Sequence, residues 1–212
     1  MSISPVNKVR DLGVTFDSNM TMESQVSTSV RLAYHSLRNL RTIRNYLTPK
    51  AAEQLVHAFV TSRIDCCNAL LYNLPNCQVQ RLQRVQNAAA RLVTYTHRHS
   101  HITPILRQLH WLPVKQRLAY KILLITYRAL KFSSPQYISS LIKLYNPHRS
   151  GLRSANALSL VIPKTRRSWG DRSFMSAAPR LWNNLPKSLK NCETLNSFKA
   201  KLKTHLMENI FP

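Results

Sequence analysis

Eight carboxylates make up the whole acidic complement of this 212-residue chain: Asp11, Asp17, Glu23, Glu53, Asp65, Asp171, Glu193 and Glu208. No two of them lie within five positions of each other. Two-metal phosphoryl transfer needs convergent carboxylates to hold its ions, so a nuclease or polymerase site complete within these residues is not expected, and no catalytic residue is assigned. His97, His99 and His101 alternate in HRHSH. With Cys77 they could form a zinc site, and with Asp65 a hydrolytic one. Zinc ligands usually come in closely paired spacings, which are missing here, and no nucleophile motif accompanies the histidines. The stretch therefore reads as a polar loop, with no metal and no cofactor expected. The cysteines Cys66, Cys67, Cys77 and Cys192 contain no CxxC and fit buried free thiols in a reducing compartment. Only Gly13, Gly151 and Gly170 are glycines, which excludes a GxGxxG turn and a P-loop. No apolar run approaches the ~20 residues of a membrane span.

The basic residues carry the stronger signal. Lys and Arg number 31 against 8 Asp and Glu, a net charge of +23, with a pI near 10.8. Such a balance calls for a polyanionic partner, and nucleic acid (RNA, DNA or an RNA–DNA hybrid) is the commonest. An acidic partner protein is the alternative. Three places concentrate the charge. Arg81, Arg84 and Arg91 fall on one side of a helix expected over about 77–95, opposite Val79, Leu82, Val85, Gln86, Ala89, Leu92 and Val93. No acidic side chain in that helix neutralises them. Arg166 and Arg167 sit in the basic turn KTRRSWGDR, and Lys199, Lys201 and Lys203 lie on the last helix.

Several elements must position these groups. Residues 9–17, VRDLGVTFD, alternate Leu12, Val14 and Phe16 with polar residues, the period of a half-buried strand. Its pairing partner is expected upstream, beyond this sequence. Residues 22–47 space Val26, Val30, Ala33, Leu37, Leu40, Ile43 and Leu47 by threes and fours, one face of a long amphipathic helix. Arg31, Arg38, Arg41 and Arg44 are expected on the rest of its surface. Thr48-Pro49 reads as a cap and first residue of the next helix, burying Leu55, Val56, Phe59, Val60 and Ile64. A short helix starts near Thr103-Pro104, and a longer one runs over 113–131, apolar nearly all round, with Trp111 filling the core at their joint. Beyond Pro135 a short helix is expected within 137–145, then a polar boundary over 147–156. Leu158, Leu160 and Ile162 alternate, and Arg172–Phe174 could return as a second strand. Pro179 should start a small helix that Pro186 stops. The last helix spans about 195–209 with Phe198, Leu202 and Leu206 on one face. The fold class is mainly α: a helical bundle led by a short strand or hairpin, with a small α+β segment at the C-terminus. Three segments result: 1–19, 20–146 and 147–212.

RDLGVTFD at 10–17, RLQRVQNAAARLV at 81–93, LHWLPVKQRLAYKI at 109–122, RSFMSAAPRLWNNLP at 172–186 and SFKAKLKTHL at 197–206 occur in the order found in one family. The chain resembles the C-terminal part of the reverse transcriptase of non-LTR retrotransposons (LINEs), most closely the chicken-repeat and jockey-like groups. The resemblance implies a polymerase-thumb-like bundle over 20–146, which holds template–primer duplex by its backbone. It also implies a primer-grip-like strand at Leu12, Gly13 and Val14. The family's aromatic-Ala-Asp-Asp motif and its further metal-binding Asp, which hold Mg²⁺, are not in these residues, nor are the fingers and the endonuclease. The expectation is a fragment of an RNA-directed DNA polymerase that binds nucleic acid without regard to sequence and does not polymerise on its own. The alternatives are a domesticated nucleic-acid-binding or adaptor protein, or a truncated element copy with no selected function.

Overall fold

The computed structural model of the chain describes residues 6–145 and 158–210, and the boundary expected over 147–156 lies outside them. The chain divides into two compact units, Met1–Lys115 and Gln116–Pro212.

The first unit opens with an antiparallel hairpin, β1 (Lys8–Asp11) and β2 (Val14–Asp17), in which Asp11 pairs with Val14 and Lys8 with Asp17. The single strand expected over 9–17 is thus two strands, and the partner of β2 lies in this chain. Both loop residues have positive φ, 46° at Leu12 and 85° at Gly13, the signature of a two-residue I′ turn. The turn carries Leu12 off the apolar face it was expected to share with Val14. Leu12 is 93% exposed, while Val14 is buried. The hairpin rests on α1 (Glu23–Ile43), where the Gln25 side chain accepts the Thr15 N–H at 2.9 Å.

Helix α1 buries Val26, Ala33, Leu37 and Leu40, as its spacing requires, but Ile43 is exposed because the helix tightens to a 3₁₀ turn at Arg44–Tyr46. Thr48 caps α2 (Pro49–Val56) by accepting the Ala51 N–H at 3.2 Å. That helix continues through a π turn, His57–Thr61, into α3 (Ser62–Asp65). The wider turn rotates the downstream residues, so Val56, Val60 and Ile64 are buried whereas Phe59, expected inside, is 50% exposed. Helix α4 (Asn76–Thr94) packs on both α1 and α2 and buries Leu82, Val85, Ala89, Leu92 and Val93. Gln86 is buried with them because its amide donates to Leu112 O at 2.8 Å. The neighbouring Gln83 accepts the Val114 N–H, also at 2.8 Å. Two side chains of α4 therefore satisfy the chain that leaves α5 (Ile102–Gln108) and enters α6 (Val114–Phe132). Trp111, in the link from α5 to α6, is buried as expected; its ring lies 5.1 Å from that of His57 and its indole donates to Glu53 at 3.3 Å.

The second unit is built on the rest of α6. Leu123 and Tyr127 from α6 meet Trp182, Leu185, Leu189, Phe198 and Leu202 in one core. The Tyr127 and Phe198 rings stack at 4.2 Å, and the Tyr127 hydroxyl donates to Cys192 O at 2.7 Å. Burial, followed by the charges of Cys192 and Glu193, raises the Tyr127 pKa, so this hydroxyl keeps its proton. After α7 (Gln136–Ser139), shorter than the helix expected within 137–145, Leu144 forms an antiparallel bridge with Leu160. In that bridge Tyr145 N–H bonds Ser159 O and Val161 N–H bonds Lys143 O, both at 2.9 Å. The N–H and C=O of Leu160 itself point away from the bridge. The Asn183 amide takes both, at 2.8 and 2.9 Å, standing in for a further strand.

The strand expected at Arg172–Phe174 does not form. Arg172 closes α8 (Ser168–Arg172) and Phe174 opens α9 (Phe174–Asn183). Pro179 lies inside α9 rather than at its start. A proline within a helix removes one ladder bond, and its burial beside Ala177 and Ala178 sets α9 into the unit. Helices α10 (Lys187–Lys190) and α11 (Leu195–Glu208) complete the unit. Thr194 caps α11 through the Ser197 N–H at 3.2 Å.

Candidate nucleic-acid interface

Helices α1 and α4 run side by side in the same direction. The Arg81 guanidinium near the start of α4 donates to Ser27 Oγ near the start of α1, at 2.9 Å. Arg44, just after α1, reaches the last carbonyls of α4. Around this pair Arg31, Arg38, Arg41 and Arg84 are exposed, and Glu23 is the only acidic residue that either helix carries.

The arginines singled out by spacing sit in different surroundings. Arg84 is fully at the surface. Arg81 is half-buried and also donates to Gln78 at 2.9 Å. Arg91 is half-buried and donates to Ser100 O at 3.1 Å, and its Nε–H is buried without a partner. In the second unit Arg166, Arg167, Lys199, Lys201 and Lys203 are all exposed. Beside the basic turn, Asp171 accepts from the Thr165 hydroxyl and from Arg180, the latter at 2.5 Å. The hydrogen bond from Thr165, against a smaller effect of burial and with help from Arg180, holds its carboxyl below the usual range. Arg180 is thereby paired, while Arg166 and Arg167 precede α8 without such a partner among the described residues. Leu12 and Gly13 form the hairpin turn and Val14 opens β2, anchored in the core.

Arg44 departs most from its expected place on the surface of the first helix. It is 5% exposed. Its guanidinium donates to Leu92 O, Val93 O and Leu47 O, each at 2.8 Å. The last carbonyls of a helix have no partner within it and carry its negative end. Arg44 supplies both the donors and the positive charge. Its guanidinium also lies against the Tyr95 ring, 4.1 Å from the centroid. Tyr95 follows α4 in the left-handed region, φ 56°, a conformation that costs a non-glycine residue about 1–2 kcal/mol. Its hydroxyl donates to Asn45 Oδ1 at 2.5 Å.

These residues line a cleft of about 580 Å³ between the C-terminal ends of α1 and α4. Arg41, Arg44, Arg91, Arg98, His97 and Tyr95 face it, and no carboxylate does. Spacing along α4 could not reveal this cleft, because Arg44, Tyr95 and Arg98 lie outside that helix. The only legible signal was the density of Arg, Tyr and His over 91–99. Among the described residues no group of three or more His, Cys, Asp or Glu side chains comes together to hold a metal. Of the four cysteines expected to be buried only Cys192 is; Cys66 and Cys67, in the turn after α3, and Cys77, in the first turn of α4, are exposed. No family model, no curated protein and no solved structure matches the chain.

Proposed function

We propose that the protein binds RNA, DNA or their hybrid through the phosphate backbone, without regard to sequence, as a segment resembling the thumb and terminal region of a LINE-type reverse transcriptase. The observation that carries this reading is the basic, nearly acid-free surface of α1 and α4. Arg31, Arg38, Arg41 and Arg84 are exposed there with Glu23 as the one opposing charge. Exposed guanidinium groups with no acidic partners can neutralise phosphates and release the cations condensed on a nucleic acid, and contacts to phosphate position a strand without reading its bases. Polymerisation is not part of the proposal. The sequence contains no adjacent carboxylates of the kind that hold the paired ions of phosphoryl transfer.

The test is the salt dependence of binding. Arg31, Arg38 and Arg84 are exposed, and no hydrogen bond or ion pair ties them down among the described residues. The triple change Arg31→Gln, Arg38→Gln, Arg84→Gln should flatten the slope of log K against log salt on duplex DNA. Each neutralised phosphate adds about 0.9 to that slope, so the expected change is roughly two to three units. Unrelated sequences should weaken alike. An unchanged slope in the folded variant, or a loss confined to one sequence, would overturn the reading.

A further inference from the structure

We infer that the cleft at the C-terminal ends of α1 and α4 holds one nucleotide of a single-stranded nucleic acid, its base stacked on Tyr95 and its phosphate held by Arg41, Arg91 and Arg98. The inference rests on the nucleic-acid reading above and assigns a substrate class to one place on that surface.

Tyr95 is the first argument. It is 62% exposed, so its ring is not there to fill a core. Yet three constraints fix it: a left-handed backbone at the helix end, a hydrogen bond to Asn45, and the Arg44 guanidinium against the ring. Glycine or asparagine closes a helix in that conformation more readily than tyrosine. What tyrosine adds is an aromatic surface, held rigid and open to solvent, on which a base can stack.

The charges beside the ring are the second. The cleft has the size of a small-ligand site. A helix C-terminus ordinarily repels an anion. Here Arg44 occupies the terminal carbonyls of α4 and cancels that field from below. Arg91 contributes a buried Nε–H without a partner. Arg41 and Arg98 are exposed at the rim. Arg98 Nε is bonded to His99 at 3.0 Å, which leaves its terminal N–H groups for a ligand. A phosphate therefore meets several donors and no carboxylate within the lining. A paired base inside a duplex has no free face for the ring, so the arrangement favours an unpaired strand.

The experiment measures binding of the full chain to labelled oligo(dT) and oligo(U), to a hairpin duplex, and to free mononucleotide and inorganic phosphate. Tyr95→Leu should weaken oligonucleotide binding about tenfold, and Tyr95→Phe, which keeps the ring but loses the bond to Asn45, should weaken it less than Tyr95→Leu does, while duplex binding changes less than twofold in either. Arg98→Gln, at the exposed rim, should lower the salt slope on the single strand by about 0.7. It keeps the test open should Tyr95→Leu fail to fold. Equal losses on single strand and duplex, or no loss in either variant, overturn the inference. So does binding of mononucleotide or phosphate through these residues with no effect on the oligonucleotide. If the wild type binds duplex with a steep salt slope while Tyr95 and Arg98 are silent, only this inference fails. If it binds no nucleic acid at all, the broader reading fails with it.

Discussion

The Arg44 guanidinium lies 4.1 Å from the centre of the Tyr95 ring, and the same guanidinium donates to Leu92 O and Val93 O at the end of α4. One buried side chain thus closes a helix and holds an aromatic ring at the mouth of a basic cleft.

Arg44→Met removes the charge and leaves three carbonyls without their donor. Removing one partner from a buried charged hydrogen-bond set costs far more than the net worth of its bonds. The variant should lose about 2–4 kcal/mol of stability in urea denaturation. Arg44→Lys keeps the charge but not the fork that reaches separate carbonyls, and should fall between the two. A loss below about 0.5 kcal/mol, the range of a surface substitution, would show that these hydrogen bonds contribute little.

Asp17 links the hairpin to α1. Its carboxylate accepts the Thr21 and Met22 N–H groups at 2.8 Å and the Thr21 hydroxyl at 3.0 Å. Partial burial, the largest single influence, favours the neutral form, but these hydrogen bonds together outweigh it and lower the pKa. A carboxyl whose folded pKa is depressed stabilises the fold above its unfolded pKa, and that stability is lost as pH falls through the folded value. The wild type should therefore lose stability below about pH 4. Asp17→Asn should be less stable at neutral pH and show a shallower loss on acidification. Parallel acid limbs would assign the acid sensitivity to other groups.

The core of the second unit depends on α11. Phe198 is fully buried, stacked on Tyr127 and beside Trp182. Phe198→Ala should cost about 3–5 kcal/mol. Tyr127→Phe keeps the stack but orphans Cys192 O, for a loss of about 1–3 kcal/mol. Denaturation of both variants, followed by circular dichroism, checks the order. An equal cost for the two would mean that the hydrogen bond, not the ring, carries the interaction.

The hairpin should be protected where it touches α1. Thr15 N–H is bonded to Gln25 and Val14 is buried, so hydrogen exchange at these amides should be slower than at the exposed turn. Gln25→Ala should speed exchange at Thr15 selectively. Exchange at Thr15 as fast as at Gly13 in the wild type would show that the hairpin is not held by the helix.

Hydrophobic spacing determined much of this fold on its own. It placed α1, α4, α6 and α11 and most of their buried faces, because a helix turns a sequence period into one stripe that must leave water. It set the cap at Thr48 and the place of Trp111, and composition alone fixed the strongly basic balance. What it could not decide was how one element ends against another. The alternation over 9–17 hid a turn, because Leu12 lacks the Asn or Asp that usually announces one. Phe59 left the core because a π turn changed the helical phase. Pro179 entered a helix where local rules put it first. Arg44 and Arg84 look alike in the sequence, each an arginine on an amphipathic helix. Only tertiary structure brought the carbonyls of Leu92 and Val93 to Arg44, about fifty residues away, and left Arg84 in solvent. The physical reason is that periodicity specifies which side of a helix faces inward. Which polar groups are then used up inside depends on the unsatisfied backbone that a neighbouring element presents there.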